Sequence, residues 1–346
     1  MDYIIVGQGV AGTVLHRKLT LAGMSAMIID DSHKHASSKV AAGLINPITG
    51  RKYVKSWRIE DFLPVAASTY RDLSLLLGQE VYREANIHRA LYTIKDENIW
   101  HSRKEDPLAS QYIREVADTS AYDGRILNTL SYGSLRGGLQ VDLPLLLSAY
   151  QSYLVQKGQL MSERYDPAAL TIHADGVIYR SQAAKGIIFA EGYQARTNPL
   201  WQGLTFTPVK GEVLLVDIKG QPFTDVLRHK LFITPLPSGL YWVGSGYEWD
   251  FTDDNPTDDG RSKLESQLSD VLSVPYTVEG HIAGIRPSVK NRKPLLGKHA
   301  KQPHTYIFNG MGTKGTGLAP FWAEHFVQYL QGKCTLDPDV DIKFRD

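Results

Sequence analysis

Cysteine is almost missing from this sequence: Cys334 stands alone among 346 residues. That excludes an internal disulfide and any cluster of thiolate metal ligands. Charge excess is missing too, with 38 lysines and arginines against 37 aspartates and glutamates, a formal +1. A chain so balanced has no surplus to neutralise phosphates, so composition argues against nucleic acid as a partner. No apolar run approaches the roughly 20 residues that span a bilayer. No basic n-region or cleavage site precedes the first apolar segment, so a cytoplasmic protein is expected. Internal repeats and low-complexity tracts are absent. What is present, 42% hydrophobic and 22% charged residues, suits one large or two medium globular domains.

The first informative stretch is VGQGVAGTVLHRKL, residues 6 to 19. Its Gly7-x-Gly9-x-x-Gly12 follows the apolar run Tyr3 to Val6, and Ala11, Val14, Leu15 and Leu19 then recur at helical spacing until Gly23. A second apolar run, Ala26 to Ile29, stops at Asp30, 30 − 7 = 23 positions after the first glycine. This is the β-α-β dinucleotide fingerprint. Gly7 makes the tight turn, Gly9 admits a pyrophosphate, Gly12 lets helix and strand pack, and the helix start, with Val10 and Ala11, faces the phosphate. Asp30, or Asp31 in its place, accepts from the ribose hydroxyls. His33 and His35 have a metal-like spacing but no partners in sequence, and no metal is expected.

The fingerprint leaves NAD and FAD open. After Asp31 the Rossmann pattern breaks into SSKVAAGLINPITGRK, residues 37 to 52. Small side chains such as Ala42 and Gly43 suit a backbone lying against a flat ring, and Ser38 or Lys39 would reach the second phosphate. Near the other end, NGMGTKGTGLAP, residues 309 to 320, is a glycine-rich loop feeding an amphipathic helix with Pro320 in its first turn. Such a helix start is an anion site.

Segment 37–44 (SSKVAAGL) resembles the flavin-side segment of the D-amino-acid oxidase, glycine oxidase and sarcosine oxidase family of FAD-dependent oxidoreductases. Further resemblances follow in the family's order: GGLQVDLPLLLSAY (137–150), GIIFAEGYQA (186–195), PVKGEVLLVD (208–217), LFITPLPSGLYWVGSG (231–246), AGIRPSVKNRKPLLG (283–297) and the 309–320 loop. The resemblance implies a mixed α/β fold, a Rossmann-type FAD-binding domain with a discontinuous antiparallel-sheet substrate domain. It implies FAD, held without a covalent link because no cysteine lies near the flavin signatures. Leu44, Glu191 and Gly192 join the expected FAD contacts, with Gly312, Thr313, Lys314, Gly315, Thr316 and Gly317 placed to stabilise the reduced flavin. Residues 1–80, 136–200 and 279–346 are expected to form the FAD-binding domain, and 81–135 with 201–278 the substrate domain. The sequence from Asp253 to Arg261 reads as a polar surface loop.

The implied reaction is oxidation of the C–N bond of a small amino-acid-like substrate by hydride transfer to flavin N5, giving an imine that water hydrolyses. Arg286 would hold the carboxylate bidentately, with Lys314 as a second cation. Tyr247 and Arg51 are further substrate-site candidates, and Lys52 and Lys55 stand beside Arg51. Departures from the family bear on the electron acceptor, O2 or another. Phe232 stands where glycine-oxidase-like members often have a phenol, Thr313 where they have an arginine, and Tyr241 or Trp242 where sarcosine-oxidase-like members have an oxygen-activating lysine. Open alternatives are a dehydrogenase feeding a quinone or a protein, an oxidase component of tRNA wobble-base modification, a nicotinamide dehydrogenase and a flavin-binding sensor.

Overall fold

The computed structural model describes residues 1–33, 35–50, 52–114, 118–220 and 222–344. Strand Tyr3–Val6 is buried along its whole length, as a parallel strand covered on both faces must be. It pairs in parallel with Ala26–Ile29 on one side and Gly186–Phe189 on the other. The six-stranded sheet runs Leu295–Lys298, Thr305–Asn309, Gly186–Phe189, Tyr3–Val6, Ala26–Ile29, Leu160–Met161. Among these pairs the 295–298/305–309 edge alone is antiparallel.

Helix Val10–Leu21 follows the first strand. Its approach is so close that a Cβ on Gly12 would lie 1.9 Å from the Gly7 carbonyl oxygen. Gly7 itself has φ 102°, a backbone region other residues rarely enter. The helix packs with Gly315–Leu330, whose Leu318, Ala319, Trp322 and Phe326 are buried against it and the sheet. Each large apolar side chain so buried contributes about 1.5–3 kcal/mol. Asp142, in the expected Val-Asp-Leu-Pro stretch, caps helix Leu143–Gln156 by accepting from the Leu145 N–H at 3.0 Å.

A second sheet of nine strands lies across the first body. Its path is Tyr276–Arg286, Val209–Ile218, Tyr241–Gly244, Phe232–Pro235, Val226–Arg228, Tyr82–Leu91, Ser131–Val141, Leu44–Ile45, with Ile113–Arg114 beside Ser131–Val141. It is antiparallel except where Val226–Arg228 runs parallel to residues 87–89. Divisions of the chain at 136 and 279 fall inside strands Ser131–Val141 and Tyr276–Arg286. Leu44–Ile45, within 1–80, hydrogen bonds into this sheet as well.

Three local expectations need correction. The glycine-rich stretch is not loop throughout: a 3-10 turn covers Gly312–Lys314 and the α-helix starts at Gly315. Pro320 therefore sits in the second helical turn, where its missing N–H leaves the Thr316 carbonyl without its helical donor. The buried Tyr70 hydroxyl donates to that oxygen at 2.7 Å. Asp253 to Arg261 is loop only in part, because helix Asp258–Ser269 begins within it, capped by the Thr257 hydroxyl accepting from the Gly260 N–H at 3.1 Å.

Candidate active site

A cavity of ≈ 1450 Å³ opens at the seam between the two sheets, reaching from the glycine turn to the face of the second sheet. At one end stand Gly7, Gly9, Val10 and Ala11, with Gly9, which has no side chain of its own to cap with, at the N-cap of the helix that starts at Val10. Ser38 also lines it, its hydroxyl accepting from the Val10 N–H at 3.0 Å. Asp30 borders the cavity with its carboxylate already engaged: one oxygen accepts from the Gln8 N–H and the other from the Ser32 N–H, both at 2.7 Å. Those bonds fix the carboxylate's direction and leave lone pairs for hydroxyl donors. Asp31 stands next to it on the lining, accepting from the His33 N–H at 3.2 Å.

Two expected contacts lie off the lining. Gly12 is packed against Gly7, and the Lys39 ammonium donates to the Ser32 carbonyl at 2.8 Å instead of reaching inward. Ala42, Gly43, Leu44, Glu191 and Gly192 all line the cavity. Burial pushes the Glu191 carboxyl up to about 7, opposed by the Asn198 amide, which donates to it at 2.9 Å. Its backbone abuts the glycine turn, a Cβ on Gly7 lying 3.4 Å from the Glu191 Cα.

The C-terminal segment lines the cavity from Gly312 through Gly317, with Gly315 beside Val10, whose Cγ1 would lie 3.3 Å from a Cβ there. Lys314 there donates to the Ser56 hydroxyl at 3.4 Å. Burial lowers its pKa, and the nearby Arg292 charge lowers it further. Arg51 lies outside the described residues. His33, placed in sequence without partners, has Asp254 at 2.7 Å.

Arg286 ends its strand with the guanidinium turned over the second sheet. Room for it comes from Gly211 on the neighbouring strand, where a Cβ would lie 2.1 Å from Nη2. Nη2 donates to the Ser245 hydroxyl at 2.6 Å and to the Gly246 carbonyl at 3.2 Å. Nη1 is buried with no hydrogen-bond partner. The Tyr247 ring lies 4.5 Å from the guanidinium carbon, an attraction between cation and π face. Burial pulls the arginine's pKa below its ordinary value, yet no carboxylate among the described residues comes within ion-pair distance. A buried cation with an orphan donor is ready for an anion.

Of the two residues considered at the missing-lysine position, Trp242 is the one on the lining; its indole N–H donates to the Val40 carbonyl at 2.7 Å. Tyr241 points into the core and bonds the Phe223 backbone. Sequence reasoning missed the roles of Gly211 and Ser245, which stand inside the 208–217 and 231–246 stretches but meet Arg286 only through strand packing, and missed Ser56, which no motif marks. It also missed Arg89 and Arg228, which line the cavity on adjacent strands.

The glycine turn, the long cavity and the sheet laid over it define a Rossmann-type dinucleotide-binding oxidoreductase. The chain belongs to the DAO family of FAD-dependent oxidoreductases, which it matches over residues 2–329. It is 22% identical to the glycine oxidase of Pseudomonas aeruginosa, over 98% of this chain and 96% of that one. It is 23% identical to the tRNA 5-methylaminomethyl-2-thiouridine biosynthesis bifunctional protein of Caulobacter vibrioides, over 94% of this chain and 54% of that longer one. The crystal structure of glycine oxidase from Geobacillus kaustophilus shares the fold, with TM-score 0.81, 19% identity and coverage of 99% and 97% of the two chains.

FAD is therefore the cofactor, and the lining fits it. The glycine turn faces the cavity with Gly7, Gly9 and the helix start at Val10. Beside it the second helix start, at Gly315, and the Lys314 ammonium also line the cavity.

Proposed function

We propose that the protein oxidises the C–N bond of a small molecule carrying both an amine and a carboxylate. The observation that carries this reading is the buried Arg286 guanidinium, with Nη1 unpartnered and Gly211 cleared beneath it. FAD, when bound, supplies the two-electron acceptor. The residues of this chain supply position and charge: Arg286 orients the carboxylate, and Lys314 with the 312–317 turn gives a cationic wall on the cofactor side.

Among the described lining residues the acids are Asp30, Asp31, Glu163 and Glu191, all on the dinucleotide side, and the one histidine is His33. No side chain at the sheet end is built to take a proton, so the amine enters neutral and the rate rises with pH until the substrate amine is deprotonated. The division of labour follows the sheets, the six-stranded body holding FAD and the nine-stranded sheet facing the substrate.

The test is anaerobic mixing of the FAD-loaded protein with glycine, sarcosine, proline and D-amino acids while the flavin absorbance is followed. Bleaching by one of them supports the reading, and oxygen return then separates an oxidase from a dehydrogenase. Flavin that none of them bleaches overturns it. The Caulobacter relative favours one second reading, a step in the biosynthesis of 5-methylaminomethyl-2-thiouridine in tRNA; bleaching by a 5-aminomethyl-2-thiouridine-type nucleoside and by no free amino acid would select it.

A further inference from the structure

We infer that the substrate carries a second anionic group, a carboxylate or a phosphonate-type group, held by Arg89 and Arg228 while its first carboxylate sits at Arg286. The inference rests on the amine-carboxylate reading above and adds the shape and charge of the rest of the molecule.

Arg89 and Arg228 are direct cross-strand partners, in register on the parallel pair of the second sheet, and both line the cavity. Paired residues on neighbouring strands project to the same face about 5 Å apart. Two guanidinium groups are thus set side by side on one wall, an arrangement that repels unless an anion lies between them. None is supplied from within: neither arginine has a carboxylate within 4.0 Å among the described residues. Asp96, the acid whose field reaches the adjoining Tyr53, is taken by the Thr93 capping box instead.

Aromatic faces hold both cations in place. Arg89 stands 4.7 Å from the Tyr53 ring and Arg228 stands 4.7 Å from the Phe232 ring. The hydrogen bonds of Arg228 run from Nη1 alone, to the carbonyls of His229 and Lys230. Burial lowers its pKa, the Arg89 charge lowers it further, and the Tyr92 and then the Tyr247 phenol oppose both.

Tyr247 is the one stacked on Arg286, so it stands between the two cationic centres. From Val209–Ile218, over which Arg286 lies, to Phe232–Pro235, over whose Phe232 ring the Arg228 guanidinium lies, the sheet order counts two strand spacings, about 10 Å. One carboxylate cannot serve both ends of such a span. A molecule with an anion at each end neutralises both and leaves its amine between them.

The experiment titrates the FAD-loaded protein with acetate, malonate, succinate, glutarate and 3-phosphonopropionate, reading dissociation constants by calorimetry and by the perturbation of the flavin spectrum. At least one dianion is expected to bind tenfold or more tightly than acetate, with the preferred chain length reporting the span and the phosphonate separating the two head groups. In Arg228→Gln, and independently in Arg89→Gln, that ratio is expected to fall below twofold. A wild-type ratio near one overturns the inference, as does a ratio that survives in whichever variants fold. Because these acids are not oxidised, the outcome is separate from that of the amine panel. Glycine reducing the flavin as fast as iminodiacetate would keep the amine reading while counting against a second anion.

Discussion

Gly211 and Arg286 act as one unit, since the glycine's only contribution to the site is the volume that the guanidinium fills. Arg286→Ala is expected to lower the second-order rate of flavin reduction by roughly 30- to 1000-fold, about 2–4 kcal/mol, as for a buried charge pair losing one member. Gly211→Ala is expected to act through the same contact, raising the substrate dissociation constant in stopped-flow titrations while FAD occupancy stays at the wild-type level. An unchanged constant would place the guanidinium elsewhere. Glu191 offers a pH signature. Its carboxyl, pushed up to about 7 by burial, is neutral below that pH and charged above it, beside the glycine turn proposed to receive the pyrophosphate. FAD release is expected to quicken as pH rises through about 7, and Glu191→Gln to flatten the profile in a dilution assay with fluorescence readout. At this scale the sequence reveals what adjacent residues can spell. The glycine fingerprint is legible because its parts are contiguous, and Arg286 because it lies within a motif. Arg89 and Arg228 are illegible because strand register, not chain proximity, assembles them, and Gly211, though inside the 208–217 stretch, shows its role only once it is set beneath Arg286.

Helix Gly315–Leu330 shows how an element repairs its own defect. Pro320 removes one helical donor, and Tyr70, from helix Ile59–Leu77, replaces it. Tyr70→Phe leaves the Thr316 carbonyl buried and unpaired, which is expected to cost about 1–3 kcal/mol in urea unfolding. The sequence reveals the amphipathic helix but starts it late and so puts Pro320 one turn too early, because four glycines read as loop when tertiary packing is unknown. A second junction couples elements through a titrating group. His16 of helix Val10–Leu21 has one ring nitrogen 2.8 Å from the Tyr150 hydroxyl and the other 3.2 Å from the Ala26 carbonyl, and burial pushes its pKa down to about 4. Below its ordinary value of about 6.5 the unfolded chain takes up a proton that the folded chain refuses. The site's contribution is therefore full above about 6.5 and is lost as pH falls toward about 4, an effect of about 3 kcal/mol. Urea midpoints measured across that window should fall with pH, and less steeply in His16→Gln.

In the whole molecule, the architecture implied by the family resemblance is the one observed, but the seams differ from those drawn along the chain. The divisions at 136 and 279 follow from the order of the resembling motifs, whereas hydrogen bonding continues through both positions. A linear reading sees turn signals and alternation; it has no access to which sheet a strand joins, and two residues at Leu44–Ile45 carry too little pattern to betray their partner. Since the cavity is shared by both sheets, FAD binding stabilises the protein as a whole. At a free FAD concentration one hundred times its dissociation constant, the gain is expected to be about 2.7 kcal/mol. Far-ultraviolet and tryptophan signals should then unfold together at a raised temperature; separate transitions would show that the two bodies are energetically independent.

The path of the chain between the sheets has one more result. It passes from one sheet to the other through segments 30–43, 142–159, 190–208 and 287–294, and each of the four contributes residues to the cavity wall. For the bodies to part, four hinges would have to turn in concert around a filled cleft, so wide opening and closing is a poor route for loading substrate. Admission falls to the rim, where Tyr247 and Trp249 on the lining are 62% and 64% exposed. Rotation of exposed side chains takes picoseconds to nanoseconds, so substrate admission is expected to show no slow opening step in stopped-flow mixing.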